Sequence, residues 1–573
     1  MRFLIFLIFS LTVSHAFTQE VEILDNVQKL YTISDDHLIN YEGQIFTKIP
    51  FKSSLHENLS YQLKDPKCAD DLYYAYATHI LPTLDETSKE AFERAVLQVC
   101  QLVGIGKKRS ARALFKALNE SGFPIEKWLK TYPLAFNDFV DELHQHRNKP
   151  CPKLDGPLKI ALTTTTSAGG NLSVALAVKA YLDQFPELFE ATLLDYETFA
   201  SVHDPVKIAT GKYTVDNIFR LLQEHNRVDE LVPTKDKLCQ DLAQYIPNCT
   251  AAAIKAEISK LDPHLIISTR SYCADDFNLL SLNIPFRMLY CDHSICFFQQ
   301  DFVGKVDPKR VKFWLPAASP RFFKSLFKQY NQESFYELTD DWQTLMKKLA
   351  QITHSPLKEI QSTFEVIGYP VRLEFQKIKE GAVLDHFKSK WDLQTGEQGI
   401  LVEMGVNGVG IIENIFNTLK SAAPHSFPIK YFFVCGRNEE LRRKLTQRLQ
   451  EDLECTALRR CAILGYMEAA EKNELMNICS LMISKPGGAT QAEVTKLRLP
   501  MFLMHIQKIC EEGNKEKLLE DNLAYEYDPE RPLPLQIEEI LNKIKMTPIY
   551  AKDPKWKKRL FKKLLEFRGA LSE

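Results

Sequence analysis

No two of the thirteen cysteines in this 573-residue chain are spaced Cys-x-x-Cys, and none joins a ladder with histidine. The sequence therefore offers neither a zinc ligand set nor a dense disulfide scaffold, and reduced, packed thiols are expected. Neither sign of charge predominates: 72 Lys and Arg stand against 74 Asp and Glu, which leaves no global field to hold nucleic acid. Long apolar runs are missing after the first few residues, so no second membrane span is expected and any membrane attraction must be local. With 45% hydrophobic residues the chain can bury ordinary cores, and its length suggests about three or four domains.

What is present begins at the N-terminus. Arg2 precedes an apolar core over residues 3–13 and the small-residue pattern Ser14-His15-Ala16, which predicts a signal peptide or signal anchor over 1–16. Residues 17–150 carry helical patterns, notably 89–103 and 110–120, and are expected to form a helical extension. The proline-rich stretch 148–157 reads as a linker, because proline removes amide donors and fixes the backbone against regular structure. Beyond it apolar strands alternate with helical segments. Strands are expected at 158–162, 191–195, 265–268 and 286–292, and again at 399–404, 431–435, 462–466 and 481–483. Two doubly wound, Rossmann-like α/β domains follow, at 151–375 and 376–550, with ligands held in the cleft between them. Residues 551–573 read as a basic amphipathic helix.

The segment Ser484-Lys485-Pro486-Gly487-Gly488-Ala489-Thr490-Gln491-Ala492-Glu493 joins a buried strand to a helix start through a Gly-Gly turn. Amides at such a start, aided by the helix dipole, attract a diphosphate, and Glu493 one turn in is placed to accept bonds from the hydroxyls of a ribose. Similar loops follow other strands: Gly169-Gly170-Asn171 in the first domain, and Gly405, Gly408 and Gly410 in the second. These glycines would let backbone approach a ligand.

Taken in order, these motifs resemble the monogalactosyldiacylglycerol synthase and processive diacylglycerol glucosyltransferase family (glycosyltransferase family 28-like), related to the peptidoglycan N-acetylglucosaminyltransferase and built on the GT-B fold. The carriers are Gly169-Gly170, Cys291-Asp292-His293, residues 367–372, Met404 to Gly410, Cys435-Gly436-Arg437-Asn438, Leu464-Gly465-Tyr466, Ser484 to Glu493 and Glu511-Glu512-Gly513-Asn514. The resemblance covers roughly residues 158–525. It implies inverting transfer of a hexose from a UDP-sugar to a lipid hydroxyl, with no cofactor or metal, the donor lying on the C-terminal domain and the acceptor on the N-terminal one. Donor contacts are then expected from Gly408, Gly410, Arg437, Tyr466, Lys485, Gly487, Gly488, Thr490, Glu493, Glu511 and Asn514. Tyr466 would mark the uracil site, and Glu511 and Asn514 would meet sugar and phosphate. Two simpler readings stay open: Glu511-Glu512 as a solvated acidic pair, and Arg437 as a solvent-facing strand end.

The chain departs from the pattern where chemistry is needed. Inverting transfer requires a proton acceptor, and the family has His after the glycine loop where this chain has neutral Asn171. Asp292 and His293 are the substitute candidates for the base. Cys510 stands where the family has Gln, and Lys508-Ile509 replaces a Pro-Gly turn, which leaves the donor sugar open. A catalytically impaired nucleotide-sugar-binding or secreted interaction protein, and a nucleotide-sugar epimerase, are the competing classes. A lipid acceptor predicts contact with a membrane surface, and the segment 556–567 and the pairs Phe297-Phe298 and Phe322-Phe323 are candidate contacts. The signal leaves membrane association or export open.

Overall fold

The computed structural model describes residues 156–166, 169–214, 249–269, 284–293, 310–323, 340–378, 381–408, 411–449, 456–506, 511–545 and 555–572. Before the linker it describes 31–33, 37–40, 43–47, 83–100, 107–133 and 135–137, and a few isolated positions lie between these ranges. The signal segment 1–16, Phe297-Phe298, Gly410 and residues 508–510 lie outside them. Among the described residues no helix is long and apolar enough to cross a membrane.

The N-terminal unit is not purely helical. Strands β1 (Tyr31–Ile33), β2 (His37–Asn40) and β3 (Ile45–Thr47) form an antiparallel meander, which the helical expectation for 17–150 missed because each strand is only three or four residues long. Helices α1 (Glu86–Cys100), α2 (Lys107–Glu120) and α3 (Ile125–Thr131) enclose a separate core in which Phe92 meets the rings of Phe123, Trp128 and Phe139.

The first α/β domain holds a six-stranded parallel sheet in the order β5-β4-β6-β7-β8-β9. Its strands are β4 (Leu158–Thr164), β5 (Phe189–Asp195), β6 (Leu265–Ser268), β7 (Phe286–Leu289), β8 (Val311–Leu315) and β9 (Phe364–Val366). β6 and β7 are buried at every position, as strands covered on both faces must be. Helix α4 (Gly170–Leu182) follows β4. Phe322 and Phe323 are fully buried against Tyr290 and Phe364, so this pair belongs to the core and is no membrane contact.

The second domain repeats the plan with β10 (Gln398–Glu403), β11 (Ile429–Val434), β12 (Cys461–Leu464), β13 (Cys479–Ser484), β14 (Met501–Leu503) and β15 (Ala524–Glu526), ordered β12-β11-β10-β13-β14-β15. This is the dinucleotide-binding strand order, in which the sheet reverses direction of growth at β10 and leaves a crevice beyond the carboxyl ends of β10 and β13. The helices that matter for the site are α5 (Ala469–Ile478), α6 (Gly488–Leu497) and α7 (Glu512–Glu520).

Two connections bind the domains. The crossing chain is strapped to α5, where Asn473 Oδ1 accepts from the Gln376 amide (3.1 Å) and Asn477 Oδ1 from the Ile378 amide (2.9 Å). The C-terminal helix α8 (Trp556–Ser572) returns to the first domain. Its Trp556, Leu560 and Leu564 are buried there, Trp556 lies against the ring of Tyr181, and Phe561 packs on Phe185 and Phe189. The apolar face expected to meet a membrane is therefore spent on the protein's own core.

Candidate active site in the interdomain cleft

The carboxyl ends of both sheets face one cleft. Helices α4 and α6 meet across it, one from each domain. On the side of the first domain, Gly169 has φ +58° and a side chain there would come within 2.6 Å of Val406 Cγ1 on the opposite domain, so glycine is required by conformation and by space. Gly170 opens α4 into free space. Asn171 is buried; its carbonyl accepts from Thr269 Oγ1 (3.0 Å), and its amide Nδ2 has no hydrogen-bond partner among the described residues. Thr166, on the same loop, donates to Asp195 Oδ2 (3.1 Å), which ties the loop to the end of β5.

On the side of the second domain the turn after β10 interlocks with the turn after β11. A side chain on Gly408 would lie 1.7 Å from the Cys435 carbonyl oxygen, and one on Gly436 would lie 2.2 Å from that of Val406. Gly408 thus serves backbone packing, contrary to the expectation of a ligand contact, while Gly405, Val406 and Gly436 line the cleft. Arg437 also lines the cleft, with its guanidinium 5.3 Å from the centre of the Tyr466 ring, which is half exposed at the mouth. Arg437 is exposed, as the solvent-facing reading has it, and it also stacks on the Tyr466 ring.

The start of α6 is the crossing point of the two domains. Gly487 is its N-cap and has no side-chain cap bond. A side chain on Gly488 would lie 1.7 Å from the Cys291 carbonyl oxygen and 2.9 Å from Asp292 Oδ1, so the helix start abuts the strand end of β7. The Gly488 amide lies close enough to the Asp292 carboxyl group to favour its ionised form. Asn514, fully buried on α7, completes a clasp: its Nδ2 donates to Asp292 Oδ1 (2.7 Å) and to the Pro486 carbonyl (3.0 Å), and its Oδ1 accepts from the His293 amide (2.8 Å). Tyr369 adds a hydroxyl bond to the Cys291 carbonyl (2.9 Å).

Burial pushes the Asp292 carboxyl up to about 6; the Asn514 bond opposes this, Glu511 adds to it, and Lys485 and the Gly488 amide oppose it. His293 differs. Burial and the charge of Lys517 push it down to about 3 against a bond from Gln491, so it is neutral near pH 7, and it does not line the cleft as Asp292 does.

Glu511 is buried and ion-paired with Lys485, whereas Glu512 is exposed; the two are not a solvated acidic pair. Thr490 sits on the cleft wall. Glu493, also buried, accepts from Arg372 Nη2 (3.0 Å) and lies 3.0 Å from Lys472 Nζ, which in turn reaches Glu403 (2.9 Å). Burial lowers the Lys472 pKa, but Glu403 and Glu493 together outweigh that and hold it above the usual lysine value. Arg372, Lys472, Glu403 and Tyr369 were not singled out from sequence. Arg372 and Tyr369 stand in the 367–372 motif and were in view there; Lys472 and Glu403 pair across 69 positions, with no local signal.

Two doubly wound domains facing a cleft, with the C-terminal helix returning to the first, define the GT-B class of fold. Over 171 residues the chain is 28% identical to a processive diacylglycerol beta-glucosyltransferase of Bacillus licheniformis, covering 30% of this chain and 39% of the relative. It is 27% identical over 173 residues to the enzyme so named in Bacillus subtilis, covering 30% of this chain and 40% of the relative. The chain therefore spans about two fifths of the curated relatives it matches, and the resemblance drawn from the motifs agrees with their names. No family model matches. Among solved structures, MurG of Acinetobacter baumannii is 13% identical with a TM-score of 0.38, covering 72% of this chain and 95% of that one. Anabaena HepE in complex with UDP-glucose is 11% identical with a TM-score of 0.36, covering 72% of this chain and 98% of that one.

Proposed function

We propose that this protein transfers a hexose, with inversion, from a UDP-sugar to the hydroxyl of a diacylglycerol-type lipid. The observation that carries the reading is the meeting of Asp292 with the Gly487–Gly488 start of α6, which sets a carboxyl group with a value near 6 beside a helix start suited to a diphosphate. Lys485 offsets phosphate charge, and Glu493, with spare lone pairs beyond those taken by Arg372 and Lys472, accepts the ribose hydroxyls. Arg437 and Tyr466 flank the base at the cleft mouth. Asp292 removes the acceptor's proton as the sugar–phosphate bond breaks, and UDP leaves. The names of the curated relatives support both donor and acceptor class. The lipid acceptor places the enzyme at a membrane surface, with the apolar segment 3–13 as tether.

A nucleotide-sugar binder without turnover is the second reading, supported by Asn171, whose buried amide cannot take a proton. One assay separates the readings: full-length protein, radiolabelled UDP-hexoses and diacylglycerol in mixed micelles. Labelled glycolipid and released UDP are expected. UDP binding without labelled lipid defeats the transferase in favour of the binder, and conversion of the donor without any acceptor defeats it in favour of an epimerase.

A further inference from the structure

A second cavity, of about 660 Å³, lies on the first domain along the sheet face covered by the C-terminal helix, and shares no lining residue with the cleft. β7 shows the separation: Arg287 near its start faces this cavity, and Asp292 beyond its end faces the other. Leu265, Trp314, Leu564 and Phe567 supply apolar walls, so the C-terminal helix forms one side. The volume falls within the range of about 300–1,000 Å³ usual for small-molecule sites.

The wall also carries the cations Arg287, Lys312, Lys358 and Lys563 and the carboxylates Glu359, Glu365 and Glu566, and among these Arg287 stands out as a buried cation. Arg287 is only 5% exposed, and its Nη1 donates to the carbonyls of Phe286 (2.9 Å) and Arg310 (2.8 Å). Its guanidinium also lies 5.3 Å from the centre of the Phe567 ring. Among the described residues it forms no ion pair. Glu365 acts on it from beyond contact, but that carboxylate is already held by Lys312 (2.7 Å), Trp314 Nε1 (2.9 Å) and Lys563 (3.1 Å). Burial pushes Arg287 down to about 10, which leaves it cationic near pH 7. Lys358 at the rim is exposed and forms no ion pair with a described residue. A buried charge without a counter-charge is costly, and an anion on the cavity side would offset that cost.

We propose that this cavity binds a single-chain amphiphile, its carboxylate or phosphate head on Arg287 and Lys358 and its hydrocarbon chain along Trp314, Leu564 and Phe567. The site is distinct from the cleft and its occupancy does not depend on donor binding or turnover. Carboxylate and phosphate heads share this chemistry, and a comparison of the two identifies which the protein prefers.

The test uses full-length protein and displacement of a dansylated fatty acid, with oleate, oleoyl-lysophosphatidate and oleyl alcohol as competitors below their micelle concentrations. Saturable binding at one site is expected, with at least one of the two anions about tenfold or more tighter than the alcohol. Arg287→Met should weaken that anion by about tenfold or more and leave the alcohol unchanged. Ser362→Trp, which fills the cavity from its wall without touching the charge, should abolish binding of all three. An unfolded Arg287→Met protein leaves the decision to Ser362→Trp and the wild-type ranking. Absence of binding, an alcohol that binds as well as both anions, a folded Arg287→Met protein with unchanged anion affinity, or undiminished binding in a folded Ser362→Trp protein would each overturn the proposal.

Discussion

Asp292 and His293 are neighbours in sequence with opposite electrostatic fates. Both are buried, and burial disfavours whichever form is charged: the aspartate is held protonated up to about 6, while the histidine stays neutral down to about 3. Only the aspartate changes state where an enzyme near neutral pH can use it. Its carboxylate, the base on the proposed function, is present above about pH 6 and lost below, so kcat/KM for transfer is expected to rise with pH through a midpoint near 6. Asp292→Asn keeps an acceptor for the Asn514 amide and should lower transfer by about 10²–10⁴-fold with UDP affinity retained. The same variant should gain stability. A carboxyl raised in the folded state binds more protons than the unfolded chain between about pH 4 and 6, so stability falls as pH rises through that window and stays reduced above it. Asn removes that loss, and thermal unfolding at pH 5 and pH 7 measures the difference. Glu493 carries a separate expectation. Glu493→Gln takes one negative charge from between Arg372 and Lys472 and weakens its acceptance of ribose hydroxyls, which should lower UDP affinity by about tenfold in calorimetry.

Helix α6 concentrates the glycine requirement of the fold at one end. Gly488→Ala places a methyl group 1.7 Å from the Cys291 carbonyl oxygen, which neither backbone can yield cheaply. It should cost about 1–3 kcal/mol in urea unfolding. Gly170→Ala, at the start of the facing helix with nothing in reach of the new methyl, is expected to be neutral or stabilising by about 0.4–1 kcal/mol. The contrast shows what a sequence can reveal about such elements. Apolar runs announced β4, β6, β10 and β13 within two residues of their observed limits, because a strand covered on both faces has little choice of composition. β14 and β15, three residues each, carry no readable period because they are so short. The cleft glycines were visible as a group, yet which of them face a ligand and which face backbone depends on the turn after β11, and Gly408 fell on the packing side. Asn514 and Asp292 could be seen as separate motifs, but their bond spans 222 positions and belongs to the closed pair of domains.

That bond bears on how the whole molecule works. The Asp292 carboxyl group holds the Asn514 side chain and lies against Gly488, at the same helix start that the donor's diphosphate would use on the proposed function. On that reading diphosphate and Asp292 compete for one helix start, and donor entry requires the β7 end and the α6 start to part. The movement is limited by the rest of the interface, where α8 remains anchored on the first domain through Trp556, Leu560 and Leu564 and the crossing chain remains strapped to α5. Asn514→Asp tests this competition, because it sets a second carboxyl group at 2.7 Å from Asp292 Oδ1 and so favours separation whenever both are ionised. Amide hydrogen exchange over residues 486–492 should be faster in the variant than in wild type at pH 8. The difference should shrink at pH 5, where protonation of Asp292 relieves the repulsion. UDP added to the wild-type protein should alter exchange at Asp292 and His293 in the same direction as the variant does, since it displaces the same contact. Equal exchange in variant and wild type at pH 8 would show that the clasp does not hold the cleft closed.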